Sequence, residues 1–164
     1  MDKNMVLEGD TLRLRGISEG DAPLIVKWRS DPRVIKYLTD SQPLTLERHL
    51  DWYKNVYLAD DDRIDLMIID KQSGLAVGTA GAKGFAGGSP EISYAVGEQG
   101  ALKKGFAAGA VRLVLDFLKD NAYTKATAVI HKHNKPSISF IEKLGFKLMG
   151  VYSQEDFLLY GKKL

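Results

Sequence analysis

The chain has 164 residues, 45% hydrophobic and 27% charged, with a formal net charge of +2. That length suits one compact domain with a substantial core, and the near-neutral balance gives no reason to expect nucleic acid or an anionic membrane as partner. No cysteine is present, which excludes disulfides, thiolate nucleophiles and cysteine-based metal sites.

The opening Met1-Asp2-Lys3-Asn4 lacks an apolar signal core, and no apolar run is long enough to span a bilayer, so a cytoplasmic location is expected. Residues 11–17 (TLRLRGI) alternate apolar and basic side chains, as a half-exposed strand does. Ser18 and Asp21 stand at capping-box spacing before a helix through Leu24, Ile25 and Trp28, which Asp31-Pro32 breaks. Thr45 can cap a second helix, with Leu46, Leu50, Tyr53 and Tyr57 as its apolar stripe. The acidic triplet Asp60-Asp61-Asp62 reads as a solvated loop.

Strands are expected at 64–70 (IDLMIID), 75–83 and 91–96 (EISYAV). A helix from about 105 to 121 comes next, with Ala107, Ala110, Val111, Val114, Phe117 and Leu118 on one face. Residues 125–131 read as a strand, and 136–144 as a short helix with proline in its first turn. Gly145 stands where a left-handed helix stop belongs, with Phe146 closing a hydrophobic contact. Two last strands are expected at 146–153 and 156–161. The whole reads as one α/β (α+β) domain over 1–164, with a mostly antiparallel sheet and helices on its faces.

Two similar hexapeptides stand out, KGFAGG at 83–88 and KGFAAG at 104–109. The first leads into Ser89-Pro90 and a strand, so its glycines suit a hairpin loop. The second opens the long helix, where free N–H groups and a partial positive charge can hold an anion. Lys103 and Lys104 add charge there, and Gly105, Ala107 and Ala108 leave the backbone accessible. On this segment alone, an anion loop and a plain helix start are both open.

Residues 134–146 (NKPSISFIEKLGF) add a second signal. They resemble the C-terminal signature of the GNAT superfamily of acetyl-CoA-dependent N-acetyltransferases, Asn-x-x-Ser/Ala and then Glu-Lys-x-Gly-Phe. Residues 102–107 (LKKGFA) resemble that family's pyrophosphate loop, in the expected order. WRSDPRV at 28–34 and LERHLDWY at 46–53 are further similar to its ribosomal-protein and amino-sugar acetylating branches. The resemblance implies a central mixed sheet of about six to seven strands with about four flanking helices. It also implies acetyl transfer from acetyl-CoA to a primary amine, a protein N-terminus or an amino sugar, in a ternary complex without metal. Two departures are visible: Leu102 replaces a usual Gln, Arg or Trp, and Ile141 replaces a tyrosine that serves many members as acid.

By the same resemblance, the cofactor runs along a strand splayed open by a bulge, near Tyr94, Ala95 and Val96. Its pyrophosphate lies over Lys103, Lys104, Gly105, Phe106, Ala107 and Ala108, and Asn134 holds the pantetheine arm or is only an N-cap. Glu91 is the candidate base and Ser137 the candidate acid. For each a structural role is the alternative: an exposed strand start and a helix start. Trp28, Arg29, His49, Trp52 and Tyr53 are candidates for the acceptor pocket. Core packing competes for the aromatic three, while Arg29 and His49 could meet an anionic group such as a nucleotide-sugar phosphate. His131 and His133 share a strand face but lack a third ligand at metal spacing. A catalytically impaired acyl-CoA-binding module is the rival from another class, and a nucleotide-binding module using the glycine loop alone is a third. The sequence leaves oligomeric state open, a homodimer included.

Overall fold

In a computed structural model describing residues 1–40, 42–153 and 155–164, eight strands and five α-helices form the fold. The strands are β1 (Val6–Glu8), β2 (Leu12–Gly16), β3 (Arg63–Asp70), β4 (Ala76–Lys83), β5 (Glu91–Val96), β6 (Lys125–His131), β7 (Lys147–Val151) and β8 (Phe157–Lys163). The helices are α1 (Ala22–Arg29), α2 (Pro32–Ile35), α3 (Leu46–Asn55), α4 (Phe106–Asp120) and α5 (Lys135–Lys143). The strands make one sheet of order β1-β2-β3-β4-β5-β6-β8-β7. Every pairing is antiparallel except β5 with β6, the two strands that α4 connects.

The sheet is covered on both faces, which explains the nearly unbroken apolar run of β3. Ile64, Leu66 and Ile68 join the larger core with Val111, Val114 and Leu118 of α4. Met67 and Ile69, on the opposite face, pack with Ile25, Trp28 and Tyr57. Period-two alternation in β3 therefore assigns successive residues to two different cores.

The expected sheet is one or two strands smaller than the observed one. Its missing member is β1, whose three residues are too few for alternation to show. Asp31-Pro32 does end α1, but Asp31 also accepts a hydrogen bond from Arg33 N and so starts α2. The expected stripe of α3 is displaced: Leu46 is exposed, and Tyr57 lies buried in a 3-10 turn beyond the helix. The buried residue of α3 is polar, His49, because this helix borders a cavity. On α4, Phe106 and Leu115 are buried, while Ala107 and Phe117 are only half-buried.

Asp21 ties β2 to α1. Its carboxylate accepts from Arg15 Nη1 and Nη2 at 2.8 and 2.7 Å, and from Ser18 N and Oγ at 2.7 and 2.8 Å. Burial alone would push this carboxyl up; the Arg15 and then the Ser18 hydrogen bonds outweigh it and hold the carboxyl below its usual range. A group depressed in this way stabilises the fold above its unfolded value, and that contribution disappears as pH falls through the lower folded value. Asp21→Ala is expected to cost roughly 2 kcal/mol at neutral pH, discounted because Arg15 is partly solvated. Denaturant titrations from pH 7 to 3 check it. The gap between wild type and variant narrows below about pH 4, and a constant gap would contradict this role.

Candidate active site

The parallel pair β5–β6 has a single register match, Glu91 with Thr127, and Thr127 N donates to Pro90 O at 2.9 Å. Beyond that point the strands diverge, while β5 stays paired with β4 from Lys83–Glu91 to Gly78–Val96. The outer edge of β5 is thus released into a slot through the sheet. The β4–β5 register is unshifted from Lys83–Glu91 to Gly78–Val96, and a separate irregularity lies between Ile68 and Ile69, in the β3–β4 pairing. The expected splay is present, and where β5 leaves β4 Gly97 N and Glu98 N both donate to Val77 O, at 2.9 and 3.1 Å, the two-against-one pattern of a bulge.

A cleft of about 740 Å³ occupies this slot. Tyr94, Ala95 and Val96 line one wall, Lys103, Gly105, Phe106, Ala107 and Ala108 one end, and Asn134 and Ser137 another. Lys104 is exposed beside them without lining the cleft, and Leu102 does line it. Gly105 caps α4 with φ 86 and no side chain, and Lys103 before it has φ 61. The first intrahelical bond runs from Gly109 N to Gly105 O. The N–H groups of Phe106, Ala107 and Ala108 therefore stand without a helical acceptor, facing the cleft with the positive end of the helix dipole. By contrast, the first hexapeptide is a hairpin loop, with Gly84 at φ 75, Gly88 at φ 70 and Phe85 buried between them.

Asn134 caps α5 through its Oδ1, which accepts from Ser137 N at 3.3 Å. The cap consumes the oxygen, so the amide NH2 is what remains for a ligand. Ser137 Oγ lies 2.7 Å from the Tyr94 hydroxyl, and the Tyr94 ring packs on Phe140 with centroids 4.9 Å apart. Burial pushes the Tyr94 phenol up to about 12, against a smaller lowering effect of Ser137. Ile141 is completely buried in the main core, so that position offers the cleft no hydroxyl.

Glu91 also lines the cleft, with Lys83 Nζ 3.3 Å from its Oε1. Glu91 and Tyr94 are three residues apart on one strand, so they point to opposite faces of the sheet. The slot joins those faces, with a carboxylate on one side and a hydroxyl pair on the other.

A second cavity of about 220 Å³ lies on the α1–α3 side, lined by Arg29, Leu38, Asp40, Gln42, Leu44, Arg48, His49 and Trp52. Leu38 lines both cavities, so they adjoin. The imidazole of His49 is 3% exposed and its Nε2 is buried without a hydrogen-bond partner. Burial first, and then the Arg29 cation, hold this histidine below its ordinary value. Burial likewise lowers Arg29, with neighbouring Arg63 the next cause. Two of the five proposed acceptor residues lie outside both cavities. Trp28 is buried, donating from Nε1 to Glu98 Oε1 at 2.8 Å, and Tyr53 packs on Tyr57 with centroids 5.6 Å apart. Core packing explains those two aromatics. Sequence reasoning gave no site role to Arg33, Val34, Tyr37 and Leu38, which line the cleft from α2 and the turn after it; the WRSDPRV stretch holds the first two but says nothing of where they face.

Among the described residues, no group of three or more His, Asp or Glu side chains could hold a metal ion. His131 instead packs against Tyr37, His133 and Phe157. No helix among those residues is long and apolar enough to cross a membrane.

A sheet split between two parallel strands, with a helix N-terminus at one end of the split, agrees with the comparisons. The family model described as an acetyltransferase (GNAT) domain matches residues 11–147. The chain belongs to the GNAT acetyltransferase family. It is 32% identical over 143 residues to the uncharacterized protein MJ1062 of Methanocaldococcus jannaschii, matching 85% of this chain but spanning only 29% of that relative's length. A crystallised domain from the same organism superposes with a TM-score of 0.83 at 30% identity, covering 94% of this chain and all of that one. The spermidine N-acetyltransferase of Vibrio cholerae, solved with CoA and spermine, shares the fold at TM-score 0.83 and 17% identity, over 94% of this chain and 96% of its own.

Proposed function

We propose that the protein transfers the acetyl group of acetyl-CoA directly to a primary amine. The observation that carries this reading is the slot beside β5, which brings a released strand edge, unpartnered helix amides, the Asn134 amide and Glu91 into one cleft. Acetyl-CoA supplies the activated acetyl thioester. The amides of Phe106, Ala107 and Ala108, with Lys103, bind the pyrophosphate. Asn134 donates to the pantetheine arm, and the free edge of β5 polarises the acetyl carbonyl. Glu91 takes the proton that the amine loses on attack. Because Glu91 faces away from Tyr94, donor and acceptor meet from opposite sides of the sheet.

The acceptor enters past Arg29, His49 and Trp52. A buried nitrogen without a partner costs about 1–3 kcal/mol, and a hydrogen bond with an acceptor group would relieve that cost. Arg48 is already paired with Asp40 at 3.3 Å, but Arg29 beside the imidazole suits an acceptor that carries an anionic group, as an amino sugar bearing phosphate or a peptide with an acidic side chain would. His49→Phe is expected to leave the melting temperature unchanged or higher while raising the acceptor KM about tenfold. An unchanged KM for a proven acceptor would remove His49 from this role.

The direct test mixes the protein with acetyl-CoA and a panel of amino sugars, N-terminal peptides and polyamines, and monitors thiol release. Absence of turnover across the panel counts against transfer. The buried Ile141 favours one alternative, a CoA-binding module that has lost catalysis; calorimetry showing tight CoA binding without turnover would select it. Absence of CoA binding would eliminate both.

A further inference from the structure

Helix α2 is a single turn, Pro32–Ile35, and none of its residues is buried. So short a helix does not hold itself. Contacts at its two ends fix it, and they fall on opposite sides of the slot. At one end Asp31 accepts from Arg33 Nε at 2.9 and 3.1 Å and aims the guanidinium. Gln99, its amide oriented by its donors, accepts from Arg33 Nη1 and Nη2 just beyond the end of β5. At the other end Tyr37 packs on His131, the last residue of β6, with ring centroids 5.6 Å apart. That imidazole is itself held by the buried ring of Phe157, 5.1 Å away, and by His133 N, which donates to its Nδ1 at 3.2 Å.

The slot is thus a closed triangle. Strands β5 and β6 meet at Pro90 O and Thr127 N, diverge, and are bridged at their far ends by residues 33–37. Val34, Tyr37 and Leu38 line the cleft and are only half-buried, so an occupant completes their burial. Arg33 is already paired with Asp31, which makes it a tether rather than a free charge for phosphate. Resting on the acetyl-transfer reading for the identity of the occupant, we propose that residues 33–38 are a strap that clamps the pantetheine arm of CoA in the slot, anchored by Gln99 on one side and His131 on the other. Gln99 does not line the cleft. It is a positioning residue, acting on CoA only through Arg33.

The test follows the release of labelled CoA from the full chain on a chase with unlabelled CoA, and needs no acceptor. Gln99→Ala and Tyr37→Ala should each speed release about tenfold while changing association less than about threefold, because lost contacts act mainly on dissociation. Tyr37→Phe keeps the ring and should release CoA as the wild type does. Arg33→Ala should match Gln99→Ala, and the double variant should be no faster than either, since the two residues share one contact. Without CoA, every variant should melt within about 2 °C of wild type, because α2 buries no residue. Unchanged release from Gln99→Ala or Tyr37→Ala would overturn the strap and leave acetyl transfer standing. A double variant whose effect is the product of the singles, or a drop of many degrees in melting temperature without CoA, would overturn it too. If CoA does not bind the wild type at all, the acetyl-transfer reading fails first and the strap with it.

Discussion

Glu91→Gln is expected to lower kcat by about 10²–10³-fold while leaving CoA affinity within about twofold. Removing a positioned general base costs about 10²–10⁴ in rate. The carboxylate stands at the start of β5, on the face opposite Tyr94, where an amine entering from the α1–α3 side would arrive. Glutamine keeps the length and polarity of the side chain but cannot take a proton at neutral pH. The lost ion pair with Lys83 matters little, because that lysine is half exposed and such pairs contribute only about 0–1 kcal/mol. Steady-state kinetics with a proven acceptor, together with calorimetry on CoA, separate the two quantities. A variant that retained full kcat would place the base elsewhere.

Gly97→Ala should be strongly destabilising. A Cβ at this position would stand 2.1 Å from Cγ of Trp28 and 2.4 Å from its Cδ1, far inside van der Waals contact. Backbone movement is restrained, since Gly97 N and Glu98 N both donate to Val77 O at 2.9 and 3.1 Å. The ring cannot simply yield either, being buried among Ile17, Ile25, Met67 and Ile69 and anchored to Glu98. Overpacking of this kind costs about 1–3 kcal/mol or more. At about 3 kcal/mol the melting temperature of a domain this size falls by about 10 °C. A loss under about 2 °C would mean that Trp28 has room to move. The same contact explains why Trp28, a candidate for the acceptor pocket by its residue type, is structural.

Much of the cofactor side was legible because its signals are local. EISYAV alternates, so the opposite facing of Glu91 and Tyr94 comes from spacing alone. The two hexapeptides differ in the segment each one leads into, and the structure separates them accordingly: a hairpin between β4 and β5 for one, the cap of α4 for the other. What sequence could not supply depends on contacts between distant segments. The Tyr94–Ser137 pair spans 43 residues. The displaced stripe of α3 failed for a related reason: Leu46 fits helical periodicity but lies exposed beyond what the rest of the fold covers, while Tyr53 packs on the smaller core and His49 is buried beside the cavity. Strand β1 was missed because it is recognisable only through its pairing with β2.

The most direct measurement is a crystal structure of the protein with CoA. The account predicts the pyrophosphate on the N–H groups of Phe106, Ala107 and Ala108, the pantetheine along the free edge of β5, and the sulfur within hydrogen-bond distance of Ser137 or Tyr94. CoA bound outside the slot between β5 and β6, or its sulfur far from that hydroxyl pair, would contradict it.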